Sequence, residues 1–175
     1  LGLTHARRNF AGDSAALQTG ADREVREGGL SAFGRDLLER AGNLGVVVDT
    51  AHLNERGFFD AVALADAPVL NSHSNCRALA DHPRNLTDEQ IEAVADTGGV
   101  VSLTALNFTL AADRPTLTDV LDHLDHAVEV AGVDHVGLGF DFYGYIAEYF
   151  DDGLGGDGPP VEGLQADNDV GALPG

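Results

Sequence analysis

Short apolar runs alternate with amphipathic stretches along this chain. Positions 46–49, 69–71, 100–106 and 135–139 are brief segments dominated by Val and Leu. Positions 1–3 read as the end of one more such strand. Between them apolar residues recur at helical spacing. Phe33, Leu37, Leu38 and Ala41 predict a helix over 33–41 with Ser31 as its N-cap, and Gly42 and Gly45 bracket its stop. Phe58, Val62 and Ala65 predict a second helix over 54–65. Thr87 with Gln90 forms a capping box that opens a third, ending near Asp96 before Gly98-Gly99. Val120, Leu121, Leu124, Ala127 and Val128 predict an inward face on a fourth helix over 118–131, capped by Gly132. The order is therefore β, loop, α, β, α, β, α, β, α, β. Strict alternation with short apolar strands implies an α/β fold with a parallel sheet buried on both faces. An open doubly wound sheet and part of a barrel both fit this order. The missing Gly-x-Gly-x-x-Gly turn after the first strand lowers the dinucleotide-binding reading.

The pattern fades in two places. Residues 6–29 are polar and Gly-rich, a long loop. From 151 onward the chain is acidic and rich in Gly and Pro, with no helical period to position 175. Residues 1–150 thus read as the folded unit and 151–175 as loop or disordered tail.

Composition narrows the function. At 175 residues the chain can build one domain with a real core. No apolar run approaches the roughly 20 residues of a membrane helix, and the first residues lack the regions of a signal peptide. The formal net charge is -19 and every basic residue is Arg. So acidic a surface argues against nucleic acid or anionic membrane as partners. It suits a halophilic setting, where carboxylates stay hydrated and repulsion is screened, or a generally acidic proteome. The single Cys76 excludes an internal disulfide and suits a reducing cytoplasm; a buried, inert thiol is expected. The chain contains no Met and opens in mid-strand, which reads as a fragment.

Candidate chemistry gathers where parallel α/β folds place it, at the C-terminal ends of strands. His5, Asp49, His52, Asn71, His73 and Asp141 all fall there. His52 and His73 lie 21 positions apart, close to one barrel repeat of roughly 30 residues. They read either as ligands of one zinc-type ion or as histidines that are hydrogen-bonded or exposed. Asp49 reads as an acceptor that orients a metal-binding imidazole, or as a helix cap. Asp141 reads as metal ligand and general acid/base, or as a loop cap. Arg84 can grip a carboxylate with two parallel hydrogen bonds, or form a surface salt bridge. His123, His126 and His135 read as non-functional.

The segments Asp49-Thr50-Ala51-His52, Ser72-His73-Ser74, His82-Pro83-Arg84-Asn85-Leu86-Thr87-Asp88 and Gly137-Leu138-Gly139-Phe140-Asp141-Phe142 resemble the membrane (renal) dipeptidase family, the zinc dipeptidases of peptidase family M19. Leu3-Thr4-His5 and Leu30-Ser31-Ala32-Phe33-Gly34 fit the same pattern, and the order agrees over about 1–145. The resemblance implies a (β/α)8 TIM barrel, of which about five of eight strands are visible, with two zinc ions on its rim. It implies that His52 and His73 bind the second zinc, that His5 contacts substrate and tetrahedral intermediate, and that Arg84 holds the substrate carboxylate. It implies that Asp141 lies at the first metal and handles the proton, while a metal-bound hydroxide attacks the peptide bond of a dipeptide.

Departures accompany the likeness. The family's His-x-Asp for the first zinc and its bridging Glu have no counterpart, and Tyr143 stands where a second Asp is frequent. Two imidazoles and one carboxylate fall short of two complete sites. The expectation is a dipeptidase-like metallohydrolase with weak zinc binding and impaired activity in this chain. The alternatives are a non-catalytic remnant or split-barrel half that needs a partner, and an amidohydrolase acting on cyclic amides. Homo-oligomerisation stays open.

Overall fold

A computed structural model describes residues 1–5, 7–15, 28–111 and 115–141. The predicted tail 151–175, Tyr143 and most of the long loop lie outside the described residues.

The described elements run α1 (Ala32–Asn43), α2 (Glu55–Leu64), β1 (Leu70–Asn71), α3 (Asp88–Asp96), β2 (Val100–Leu103), α4 (Asn107–Leu110), α5 (Leu117–Ala131) and β3 (Val136–Leu138). A single 3-10 turn, Val133–His135, leads into β3. The three strands form a parallel sheet in the order β1-β2-β3. Two parallel bridges, Gly2 to Asp49 and Asp49 to Leu70, extend it by the remaining two predicted segments. Five parallel segments thus lie side by side in chain order. A doubly wound sheet reverses direction at a switch point, whereas a barrel adds each strand beside the last. The sequential order selects the arc of a (β/α)8 barrel.

Caps set the helix starts. Ser31 Oγ accepts from Gly34 N at 3.0 Å and Asn54 Oδ1 from Gly57 N at 2.9 Å. Thr87 and Gln90 close the expected capping box. Asp119 Oδ2 accepts from both N and Oγ1 of Thr116 before α5, and these bonds hold its carboxyl below the usual range. Gly98 and Gly132 take φ of +77° and +85° at the ends of α3 and α5, a conformation that costs glycine little.

The core lies between the sheet and the helices. Phe58, Val69, Ile91, Val94, Val101 and Leu103 are fully buried there. Two predicted faces are rotated. On α1 the inward residues are Gly34, Leu38 and Ala41, while Phe33 is exposed. The Ala11 backbone packs so closely on Gly34 that a Cβ there would collide with its carbonyl. On α5 the buried residues are Val120, His123 and Ala127, and Leu121 is 49% exposed. The strand predicted over 100–106 stops at Leu103, because Ala105 N and Thr104 Oγ1 turn to the carbonyl of Phe140. Among the described residues no helix is long and apolar enough to cross a membrane.

Candidate metal centre

The two histidines that the sequence separates by one repeat converge. His52 follows the second parallel segment and His73 follows β1, and their Nε2 atoms are 2.8 Å apart. The ring centroids lie 4.8 Å apart, nearly edge to face. The His5 ring lies against His52, tilted by 40°, with centroids 4.3 Å apart. Asp141 Oδ2 stands 3.9 Å from His73 Nε2. The structure therefore brings His5, His52, His73 and Asp141 together at one rim.

Backbone strain marks the same place. Among the described residues only His52 (φ +67°) and Asp141 (φ +59°) combine a side chain with a left-handed backbone. Such conformations persist where the surroundings hold them, and they cluster at functional sites. Both strained residues follow a strand segment, His52 as one of the pair and Asp141 with its carboxylate beside His73.

Neutral imidazole is the form that binds a metal. Burial, then the Arg84 guanidinium, then His73 and His5 push the His52 pKa down to about 2. Burial and Arg84 lower His73 too, against the opposing pull of Asp141 and Asp49. Arg84 is itself buried and its Nη2 donates to the His73 carbonyl at 3.1 Å. This cation thus sits in the wall of the site.

Asp49 turns out to anchor the site rather than cap a helix. Its Oδ1 accepts from Ala51 N and Ser72 N, both at 3.0 Å, and its Oδ2 from Ser72 Oγ at 2.6 Å. Ser72 Oγ in turn meets His73 Nδ1 at 2.7 Å. Asn71, a rim candidate by sequence, is buried and donates to Thr50 Oγ1 instead. The sequence places Ser72 in a motif with His73 but gives it no role, because a serine beside a histidine carries no signal until Asp49 is seen across the strand.

A second polar layer supports the loop carrying Arg84. Asn75 Nδ2 donates to Thr104 O and Thr109 Oγ1, and Asn85 Nδ2 to Ala80 O and Thr109 O. His123, fully buried, accepts from Cys76 N at 3.1 Å through Nδ1 and donates to Leu110 O at 2.9 Å through Nε2. Cys76 Sγ donates to the His123 carbonyl, and burial chiefly pushes its thiol up to about 12. That is the inert thiol expected. His126 pairs with Asp88 and His135 with the Gly99 carbonyl, both away from the rim.

The donor chemistry fits zinc: two neutral imidazoles with converging Nε2 atoms. Two nitrogen ligands of one zinc stand about 3.4 Å apart, so the rings need only part by about 0.6 Å. Among the described residues, however, no group of three or more His, Cys, Asp or Glu is set to hold an ion. Asp141 lies beside the pair rather than in a formed ligand set.

A sequentially ordered arc of parallel strands, carrying imidazoles, a carboxylate and an arginine at the strand ends, defines the class: α/β proteins built on a (β/α)8 barrel with their polar side chains gathered at the strand ends. The comparisons are specific within it. The model of the membrane dipeptidase family (peptidase family M19) matches residues 1–155. An uncharacterised dipeptidase of Schizosaccharomyces pombe is 37% identical over 145 residues, which is 81% of this chain and 34% of that one. A crystal structure of a metallopeptidase from Rhodobacter sphaeroides, liganded with a phosphinate mimic of the dipeptide L-Ala-D-Ala, superposes with a TM-score of 0.71 at 34% identity. It covers 80% of this chain and 41% of that one. The dipeptidase AC, a metallopeptidase of family M19, gives 0.74 at 34% identity, over 80% and 43%. The chain belongs to the membrane dipeptidase family, M19, and spans between a third and a half of the length of these relatives.

Proposed function

We propose that the protein is a zinc-dependent dipeptidase and that the described rim carries one metal-binding pair and the substrate grip. The observation that carries this reading is the convergence of His52 and His73 Nε2 beside buried Arg84. A divalent ion held by the pair would supply Lewis acidity toward the scissile carbonyl and a more acidic water. Arg84 takes the terminal carboxylate of the dipeptide through two parallel charge-assisted hydrogen bonds, which fixes the peptide bond over the imidazoles. His5, exposed and in ring contact with His52, donates to the carbonyl oxygen as negative charge develops there. Asp141 accepts the proton of the attacking water and returns it to the leaving amine. The strained backbone at Asp141 supports that role by aiming the carboxylate at His73.

The family likeness supports a dipeptide substrate, and Arg84 weighs against the cyclic-amide alternative, because a cyclic amide offers no carboxylate. With two imidazoles and one nearby carboxylate among the described residues, this chain by itself should bind zinc weakly and turn over slowly. Zinc titration by calorimetry on the 175-residue chain tests the metal reading. Weak binding that His73→Ala abolishes is expected. Tight binding of two ions would overturn the view of an incomplete site, and no binding would remove the metal. A hydrolysis assay with dipeptides bearing a free or an amidated C-terminus tests the substrate. Equal rates on both would remove the role of Arg84.

A further inference from the structure

We propose that Asp49 and Ser72 are positioning residues that lock His73 in a single tautomer, so that its Nε2 lone pair is presented before any ion arrives. The inference rests on the metal-centre reading above and deepens it.

The argument is a count of protons. A serine hydroxyl has one hydrogen and two lone pairs. Ser72 Oγ is within hydrogen-bond distance of Asp49 Oδ2 and of His73 Nδ1. A carboxylate only accepts, so the hydroxyl proton points to Asp49. Two bare lone pairs facing each other at 2.6 Å would repel. The oxygen is then left as acceptor toward the imidazole, and His73 must carry its proton on Nδ1. Its Nε2 is bare. His52 Nε2, 2.8 Å away, must donate to it, which leaves His52 Nδ1 bare, buried and without a partner among the described residues.

The pair is therefore unequal. His73 is already in the ligand form, and its tautomer is stabilised by a carboxylate behind a hydroxyl. His52 must move its proton off Nε2 before it can ligate. The anchor serves both rings, because Asp49 Oδ1 also holds Ala51 N, the residue just before the strained His52. One carboxylate thus fixes the stems of both ligands across neighbouring parallel strands. Groups that orient metal-binding histidines in this way are commonly worth 10–100-fold in metal affinity.

Asp49→Asn tests the relay sharply. Oδ1 receives two backbone N–H donors. The amide nitrogen of Asn cannot occupy that place and must face Ser72 Oγ. The hydroxyl would then turn and donate to His73 Nδ1, reversing the relay. Two-bond proton–nitrogen NMR of the metal-free chain reads the tautomer directly. His73 is expected as Nδ1–H in the wild type and as Nε2–H in Asp49→Asn. Zinc should bind about 10–100-fold more weakly to Asp49→Asn and Ser72→Ala, while Ser72→Thr, which keeps the hydroxyl, should rescue it. An Nε2–H tautomer for His73 in the wild type would overturn the proposal with no variant needed. So would an unchanged tautomer in Asp49→Asn. If the tautomers behave as stated and no variant or wild type binds zinc, the relay stands and the metal-centre reading falls.

Discussion

His123→Ala should be among the most damaging single substitutions in this chain, although the residue touches none of the rim donors. Its imidazole is 1% exposed and spends both nitrogens on backbone groups, Cys76 N and Leu110 O. Truncation leaves one buried N–H and one buried carbonyl unsatisfied, at about 1–3 kcal/mol each. It also opens a ring-sized cavity among fully buried neighbours, which adds to the cost. A loss of at least about 3 kcal/mol follows, a large share of the 5–15 kcal/mol typical of a domain. His123→Phe separates the contributions. It fills the space but makes neither hydrogen bond, so it should lose only the cost of the two unpaired groups, about 2–6 kcal/mol, and less than His123→Ala. Urea denaturation at pH 8 with a constant m-value measures both. A loss under about 1 kcal/mol for Ala would show that the two backbone groups find other partners and that the ring is not a strut.

The same residue predicts a pH dependence. Burial is the main cause lowering its pKa, with smaller opposing pulls from the Leu110 carbonyl, Asp119 and Asp122 and a small assisting push from His126. The unfolded chain therefore takes up this proton more readily, and the stabilisation present above about pH 6.5 is lost as pH falls toward the folded value. The wild type should lose urea resistance below that pH, and His123→Phe should show a shallower loss; parallel curves would exclude the residue. Arg84→Ala should raise KM for dipeptides about 10-fold or more with a smaller change in kcat, as expected on losing a charge-assisted pair; an unchanged KM would place the guanidinium outside the substrate site. Gly139→Ala should destabilise by about 1–3 kcal/mol, because a Cβ there would collide with the carbonyl oxygen of Ser72. Chemical shifts of His73 should move with it, and silent spectra would contradict the contact.

Much of the frame was legible from the chain because it is written in local chemistry. Ser31 and the Thr87–Gln90 box mark helix starts through their own hydrogen bonds. The choice between doubly wound sheet and barrel was not legible, since both share one element order; the neighbour sequence from Gly2 through Asp49, Leu70 and Val100 to Val136 decides it. The four-residue helix Asn107–Leu110 escaped because one turn has no period. On α5 hydrophobicity ranks Leu121 above His123, yet the interior takes the histidine. The buried Cys76 amide and Leu110 carbonyl need a side chain that both accepts and donates, and leucine does neither. His52, His73, Arg84, His5 and Asp141 could be named from type and spacing. The orienting role of Asp49 could be named as well, but the Ser72 hydroxyl that links it to His73 depends on a meeting of two strands that no local pattern records.

The sequential sheet also bears on how the site comes into being. Each strand pairs with the one made just before it, as in Asp49 with Leu70, Leu70 with Val100 and Val101 with Val136. Among the described residues each pairing closes between consecutive strands, so its entropic cost stays that of one connection. His52 and His73 belong to consecutive steps of this series. On a ribosome, where chains emerge at about 5–20 residues per second, both imidazoles are out within seconds of each other. Asp141, two repeats later, arrives at a pair that can already be in place.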